Sequence, residues 1–448
     1  MEDRIFARHS VPTFRNCYFL QVVSFLSLLF SHSLALASDS LLNDWELTGF
    51  GTLGYTDTSK YDDLVIKRNI TQRSKKIEND GWLLDSSLGL QVRKELELEW
   101  DVVGQFVAKE KVNNSLENSI EMAFLRYRSN DGWSFQLGRM VLDTFLLSDH
   151  RDVGYSYHTV RPQAEFYAWI PFSHYDGFKT SIEFGDFDNL VRFEAFAGKT
   201  KATVNIGYLD TPTSYNYVKA APIIGTGITW ETGDFTLRAS IARFRFTQNT
   251  AANRGLYESV VQLEQLGWEE SREIADAYAI EGRRVTYSSI GFHWTPSHWL
   301  FQGEVSDVEG ENFGNYDGQR AYLQIGYRFG EWLPHMGYSY SRDERDFPFD
   351  RFVYPDGHPA SIYQPVLDGA HVLLSDNLSS AIMDQRSFTL GVRWDFASQK
   401  ALKLQCDFAT IDDNSLGIYS TPDTIDGEKR NWEKASRSWC STTFDWVF

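Results

Sequence analysis

Between residues 141 and 174 the chain gathers four carboxylates, Asp143, Asp149, Asp152 and Glu165, with two guanidinium groups, Arg151 and Arg161. Mixed charge at this density, in a confined aqueous space, orders water and biases passing ions. In open solvent the same charges would only keep a loop wet. Other chemistry finds less support. Gly49-Phe50-Gly51-Thr52-Leu53-Gly54 matches the dinucleotide spacing G-x-G-x-x-G, but no helical pattern follows it. That motif works by placing phosphate on a helix N-terminus, so here the glycines point to a bent or closely approached strand. The histidines show neither His-x-x-x-His nor His-Glu-x-x-His spacing, and no G-x-S-x-G elbow occurs. Hence no metal, no cofactor and no catalytic residue is expected. Cys406 and Cys440 fall on consecutive extended segments, and a pair of small apolar side chains is expected there ahead of a disulfide.

The elements that carry these residues alternate apolar and polar side chains with period two from Trp45 to Phe448. Examples are Leu88/Leu90/Val92, Phe388/Leu390/Val392 and Leu402/Leu404/Cys406/Phe408. The opposite faces bring Arg93, Gln105, Arg192, Glu194, Arg238, Arg328, Arg393, Lys403 and Asp407 together. About sixteen strands result. Short turns, such as Asn130-Asp131-Gly132, Thr232-Gly233-Asp234 and Gly330-Glu331, alternate with longer segments. The longer segments are about 56–81, 110–118, 141–174, 200–220, 248–284, 309–318, 343–384 and 412–436. Strict short-long alternation suits one transmembrane antiparallel β-barrel, and at this strand number the interior is wide enough for water. Helical spacing over about 253–282 places an insertion in the fifth long loop.

Composition agrees. Mean hydropathy is -0.37, yet alternating strands average out on such a scale. Aromatics reach 15%, and many tryptophans stand at strand ends, where barrels keep interfacial girdles. A net charge of -18 argues against a nucleic-acid partner. Arg4, Arg8 and Arg15 precede an apolar run from Cys17 to Phe30, then Ala35-Leu36-Ala37. This reads as a secretory signal over 1–37, leaving a barrel domain over 38–448. The closing strand, Cys440 to Phe448, keeps the apolar register to its final aromatic residue.

The chain resembles the Gram-negative general porins. The residues that carry this are Trp45-Glu46-Leu47-Thr48-Gly49-Phe50-Gly51, Ala123-Phe124-Leu125-Arg126-Tyr127-Arg128, Leu137-Gly138-Arg139 and the closing aromatic strand. The resemblance implies short periplasmic turns, long extracellular loops, a homotrimer in outer-membrane lipid, and a third loop folded into the lumen. It also implies a basic ladder facing that loop, for which Arg93, Arg126, Arg128 and Arg437 are candidates here. The acidic Pro-Glu-Phe-Gly-Gly motif of enterobacterial porins is absent, so their selectivity does not carry over. Passive diffusion of small hydrophilic solutes and ions is the function implied. A channel selective for an organic acid or oligosaccharide, with Tyr155, Tyr157, Phe166, Tyr167 and Trp169 as sugar-stacking candidates, is one alternative. An outer-membrane enzyme or adhesin acting from its loops is the other.

Overall fold

The computed structural model describes residues 45–57, 66–73, 81–97, 99–186, 188–205, 215–311, 317–343, 351–413, 415, 417–418 and 434–448. The candidate signal segment and most of the last long loop lie outside them. The strands are β1 (Trp45–Asp57), β2 (Ser87–Glu95), β3 (Trp100–Lys109), β4 (Ile120–Arg128), β5 (Trp133–Val141), β6 (His174–Gly185), β7 (Asn189–Asn205) and β8 (Tyr215–Thr232). They continue as β9 (Phe235–Phe246), β10 (Arg284–Trp294), β11 (Trp299–Gly310), β12 (Gly318–Tyr327), β13 (Trp332–Asp343), β14 (Gln385–Ala397), β15 (Lys400–Ile411) and β16 (Ala435–Val447). Every strand pairs with its sequence neighbours, and β1 pairs with β16, so the sheet is a closed antiparallel barrel of sixteen strands. β7 and β8 reach further than the alternation indicated, so the segment between them is shorter than 200–220.

Closure leaves no sheet edge, which a bilayer would not tolerate. At the seam, Phe448 and Gly49 exchange backbone hydrogen bonds at 2.9 Å each. A Cβ at Gly49 or Gly51 would overlap the Phe448 and Trp446 rings, so these glycines serve close approach, not phosphate binding.

The two faces of the sheet are unlike. Leu137, Phe193, Ile241, Leu323, Leu390 and Leu404 are exposed on the outside, although they are among the most apolar residues of their strands. Tryptophans at the short-turn end form a belt. Trp332 stacks on Trp394 at 5.0 Å, while Trp299 meets Tyr327 at 4.9 Å and Trp230 meets Phe235 at 5.8 Å edge to face. An apolar band with an aromatic girdle is what a barrel presents to lipid. Cys406 and Cys440 are cross-strand partners on this face, and they are joined by a disulfide, against the expectation of two free side chains. The bond forms because the strand ends align and bring the two Cα atoms to 4.1 Å.

The inside is not the uniformly wet lumen that strand number suggests. Near the long-loop end, inward residues such as Phe196, Ile223, Phe244 and Tyr287 are apolar. They pack on Phe145, Phe166, Trp169 and Phe172 of residues 142–173, hereafter loop 3, which connects β5 to β6. The barrel therefore has an apolar core within its lumen as well as an apolar exterior. A second apolar cluster lies in the loops. Helices α1 (Ala251–Val261), α2 (Ser271–Tyr278) and α3 (Gln364–Ala381) bury Val260, Trp268, Ile274, Leu367 and Leu374 together with Tyr354. The fifth and seventh long loops thus share one small helical cap.

The outward face yields a direct test. Leu404 is half exposed near the middle of β15. Leu404→Arg is expected to cost about 2–4 kcal/mol in denaturant titrations of the vesicle-inserted barrel. Gln105→Arg, on the inward face, is expected to change stability little.

Candidate constriction and pore wall

Loop 3 is seated by side chains from most of the wall. At its start, Asp143 meets Lys179 of β6 at 2.9 Å and Arg238 of β9 at 2.9 Å. Glu194 of β7 pairs with both cations, closing a neutral quartet. Ser289 of β10 donates to the Thr144 carbonyl at 3.0 Å, and Ser240 of β9 donates to the same oxygen. Glu304 of β11 accepts from the Leu146 N–H at 2.8 Å and from the Tyr167 hydroxyl.

The middle of the loop is held by cations donating to its backbone. Arg393 of β14 donates to the carbonyls of Tyr155 (2.7 Å) and Tyr157 (3.0 Å) and covers the Tyr155 ring. Lys403 of β15 donates to the carbonyls of Gly154 (2.6 Å) and Thr159 (2.9 Å), covers the Tyr157 ring and pairs with Asp445 at 3.2 Å. Any side chain at Gly154 would collide with Asp445 and Thr52, so only glycine allows the loop to lie this close to β16 and β1.

Arg161 and Glu165 are enclosed, at 4% and 1% exposure. Arg161 makes a bidentate bond to Asp85 (2.6 and 2.9 Å) and also reaches Thr56 of β1, Ser441 of β16 and Asp407 of β15. Burial opposes ionisation of Asp85, but the Arg161 guanidinium outweighs it and holds the carboxyl below its usual range. Glu165 accepts from Ser339 and Gln385 at 2.7 Å each, and from Ser387. These two residues are pins in the seat and present no charge to open water.

Asp149, Arg151 and Asp152 lie on the other side of the loop. Asp149 is exposed and bonds His150 at 2.5 Å. Asp152 binds Lys109 of β3 at 2.6 Å. Burial opposes its ionisation, but Lys109 leads the charges that keep its pKa lowered. The Arg151 carbonyl accepts from Arg68 at 2.8 Å, and its guanidinium reaches the Phe172 carbonyl. The loop aromatics Tyr157, Phe166, Tyr167 and Trp169 are buried, so they anchor the loop and offer no face to a sugar.

The wall arginines divide into groups. Arg93, Arg126 and Arg128 converge on one carboxylate, Asp101, at 2.8, 2.6 and 3.2 Å, inside the short-turn end of β2–β4. The parity that places Phe124 and Met122 inward is real: Phe124 joins the interior apolar core with Met122 against it, while the arginines continue the same face below. Arg192 pairs with Glu183 at 2.6 Å, and Arg328 with Asp395 at 2.8 Å, both near the short-turn rim. Arg238 and Arg393 belong to the loop seat. Arg437 lies on β16 beside Trp439, near the long-loop end, and so does not join the other three in a ladder. Lys109, Lys179, Lys403, Asp85, Glu194 and Glu304 complete the arrangement. Lys109 and Lys179 share the parity of Gln105 and Ser181, so their inward direction was readable.

The seat leaves the two sides of the lumen different. Along β13–β16 the inward side chains of Ser339, Thr389, Lys403, Gln405, Thr443 and Asp445 are buried under the loop. Along β2–β7, Gln91, Arg93, Gln105, Arg126, Lys179 and Arg192 keep partial exposure. Among the described residues no group of three or more histidine, cysteine or acidic side chains is placed to hold a metal ion.

Arg161→Ala would leave Asp85 and Asp407 buried without their cation. It is expected to destabilise the seated loop by about 3–5 kcal/mol, read as lost hydrogen-exchange protection over 154–167. Because the Asp85 value is lowered in the folded state, the pair contributes fully above the ordinary carboxylate pKa near ~3.9 and fades only as pH falls below it.

No family model and no curated protein matches the chain. Solved structures do. OmpF of Salmonella typhi, solved in complex with daunomycin, aligns with TM-score 0.50 at 10% identity, over 90% of this chain and 97% of that one. An anion-selective porin from Comamonas acidovorans aligns at 0.46 and 12% identity, over 90% and 100%. The outer membrane channel DcaP of Acinetobacter baumannii also aligns at 0.46 and 12%, over 90% and 97%. At such identities a likeness speaks for fold alone, and here the OmpF alignment carries it. In fold, this chain is a sixteen-stranded barrel of the general-porin kind.

Proposed function

We propose that the protein is an outer-membrane channel through which small hydrophilic solutes and ions diffuse passively. The observation that carries this is the inversion of the sheet: apolar residues cover the outside, while charged and amide side chains on β2–β7 stay part-exposed within. A soluble barrel has no use for that arrangement, and a water-filled passage requires it. Loop 3, seated on most of the wall, narrows the lumen and sets the bore. The long loops face outward from the cell, and the assembly is a trimer, as the sequence resemblance implies.

The mechanism needs no cofactor. A solute entering from the short-turn side passes Arg93, Arg126 and Arg128. Three guanidinium groups share Asp101, with Glu95 near the rim, so the cluster retains positive character. Positive rings favour anions over cations. This supports the organic-acid alternative over the oligosaccharide one, whose stacking rings are buried save the half-buried Tyr155, which Arg393 covers.

Planar bilayers test the reading. Wild-type protein should give discrete single-channel steps, with a reversal potential in a salt gradient displaced toward the anion value. The Arg126→Ala, Arg128→Ala double variant should move that potential toward the cation value without loss of insertion. Silence in bilayers, together with no swelling of loaded liposomes, would remove the channel reading.

A further inference from the structure

Where the middle of loop 3 meets the wall, two imidazoles face each other. His158 of the loop and His335 of β13 stand 5.0 Å apart between ring centroids, nearly perpendicular. Both are buried, at 3% and 5% exposure. Nε2 of His158 and both ring nitrogens of His335 have no hydrogen-bond partner among the described residues. Buried polar atoms of this kind are rare and costly, and they are tolerable for histidine only in its neutral form.

The surroundings sharpen that condition. The charged and titratable groups facing His158 are His335 from β13, Lys403 from β15, Arg393 from β14 and His293 from β10. Lys403 also faces His335. The acids nearby are engaged: Asp445 with Lys403 and Asp395 with Arg393. A proton arriving on either ring therefore adds a cation to a buried cationic neighbourhood, at the point where Lys403 and Arg393 hold the loop by its backbone carbonyls.

We infer that the His158–His335 contact is an acid-released latch, which seats the middle of loop 3 at neutral pH and frees it on mild acidification. This rests on the channel reading for its consequence, a wider passage, but not for the motion itself. Burial first, and then His335 and Lys403, hold the seated His158 well below the ordinary imidazole value. A freed imidazole returns to about 6.5. Seating is thus fully favoured above that pH and weakens below it, by at most about tenfold per pH unit for each ring. The carboxylate pins at Asp85 and Asp152, whose values are lowered, stay ionised across this window. Both rings respond between about pH 6.5 and 4.5, and the double variant below separates their response from that of the other groups facing the loop.

The test is hydrogen–deuterium exchange of the full chain in lipid nanodiscs at pH 7.5 and 4.5, corrected for intrinsic rates, with conductance measured at the same two values. Protection over 154–160 should fall at least tenfold in the wild type and stay level in the His158→Phe, His335→Phe double variant. Asn replaces Phe at either position where gel mobility shows a misfolded barrel, since it too does not titrate. Level protection in the wild type overturns the latch, as does an undiminished fall in the double variant. Lost protection with no current at either pH upholds the latch and overturns the channel reading. A current with level protection does the reverse.

Discussion

Every strand of this protein has to satisfy two media while leaving no backbone group unpaired. That constraint fixes the rest. In hydrocarbon an unpaired N–H or C=O costs several kcal/mol, so the sheet must close, and it closes where β16 meets β1 through the Gly49 and Phe448 backbones. Closure in turn requires small residues under the seam aromatics, which accounts for Gly49 and Gly51. Once closed, the sheet has an inside, and period two assigns each side chain to lipid or lumen without further choice. The dinucleotide-like glycine spacing is a by-product of this packing.

A wide barrel creates a second problem, because an empty lumen of sixteen strands would specify no bore. Loop 3 solves it with two kinds of contact. Its ends are fixed by an apolar core inside the barrel, built from Phe145, Phe166, Trp169 and Phe172 against inward residues of β6–β10, and at its start also by the Asp143 quartet with Lys179, Arg238 and Glu194. Its middle is fixed by polar groups: Arg393, Lys403 and Gln405 reach its backbone, and Arg161 reaches back to Asp85. The apolar contacts are indifferent to pH and salt, whereas the polar ones depend on the charge state of each partner.

Much of this was legible in the residues and part was not. Strand number and the turn and loop alternation follow from alternation alone, because two unlike media demand opposite side chains at successive positions; which face turns outward rested also on the signal-like N-terminal segment and the closing Phe448. The inward direction of Arg93 and Arg238 followed by parity, whereas Arg126 shares its parity with the apolar Met122 and Phe124, so the strand alone left its face open. What alternation cannot give is which inward charge meets which. Arg161 and Glu165 look like free loop charges until Asp85, Ser339 and Gln385 are brought to them across the lumen. The interior apolar core was visible only as a local failure of the rule: at the loop-end halves of β8 and β9, residues such as Ile223, Phe244 and Phe246 leave few polar side chains on the inward face. The disulfide depended on the β15–β16 register, where Cys406 falls opposite Cys440, and a shift of one residue would have separated them.

The division of labour within loop 3 decides which part of it can move. Releasing an end would expose buried aromatic surface, at roughly 25 cal/mol per Å². Releasing the middle exchanges hydrogen bonds to cations for hydrogen bonds to water, which nets far less once the cationic anchors are themselves opposed by a new charge. On the latch reading the part that lifts is the span from Gly154 to Val160, between the Asp152 and Arg161 pins. A bore set by such a span can change while the barrel and its lipid face remain as they are.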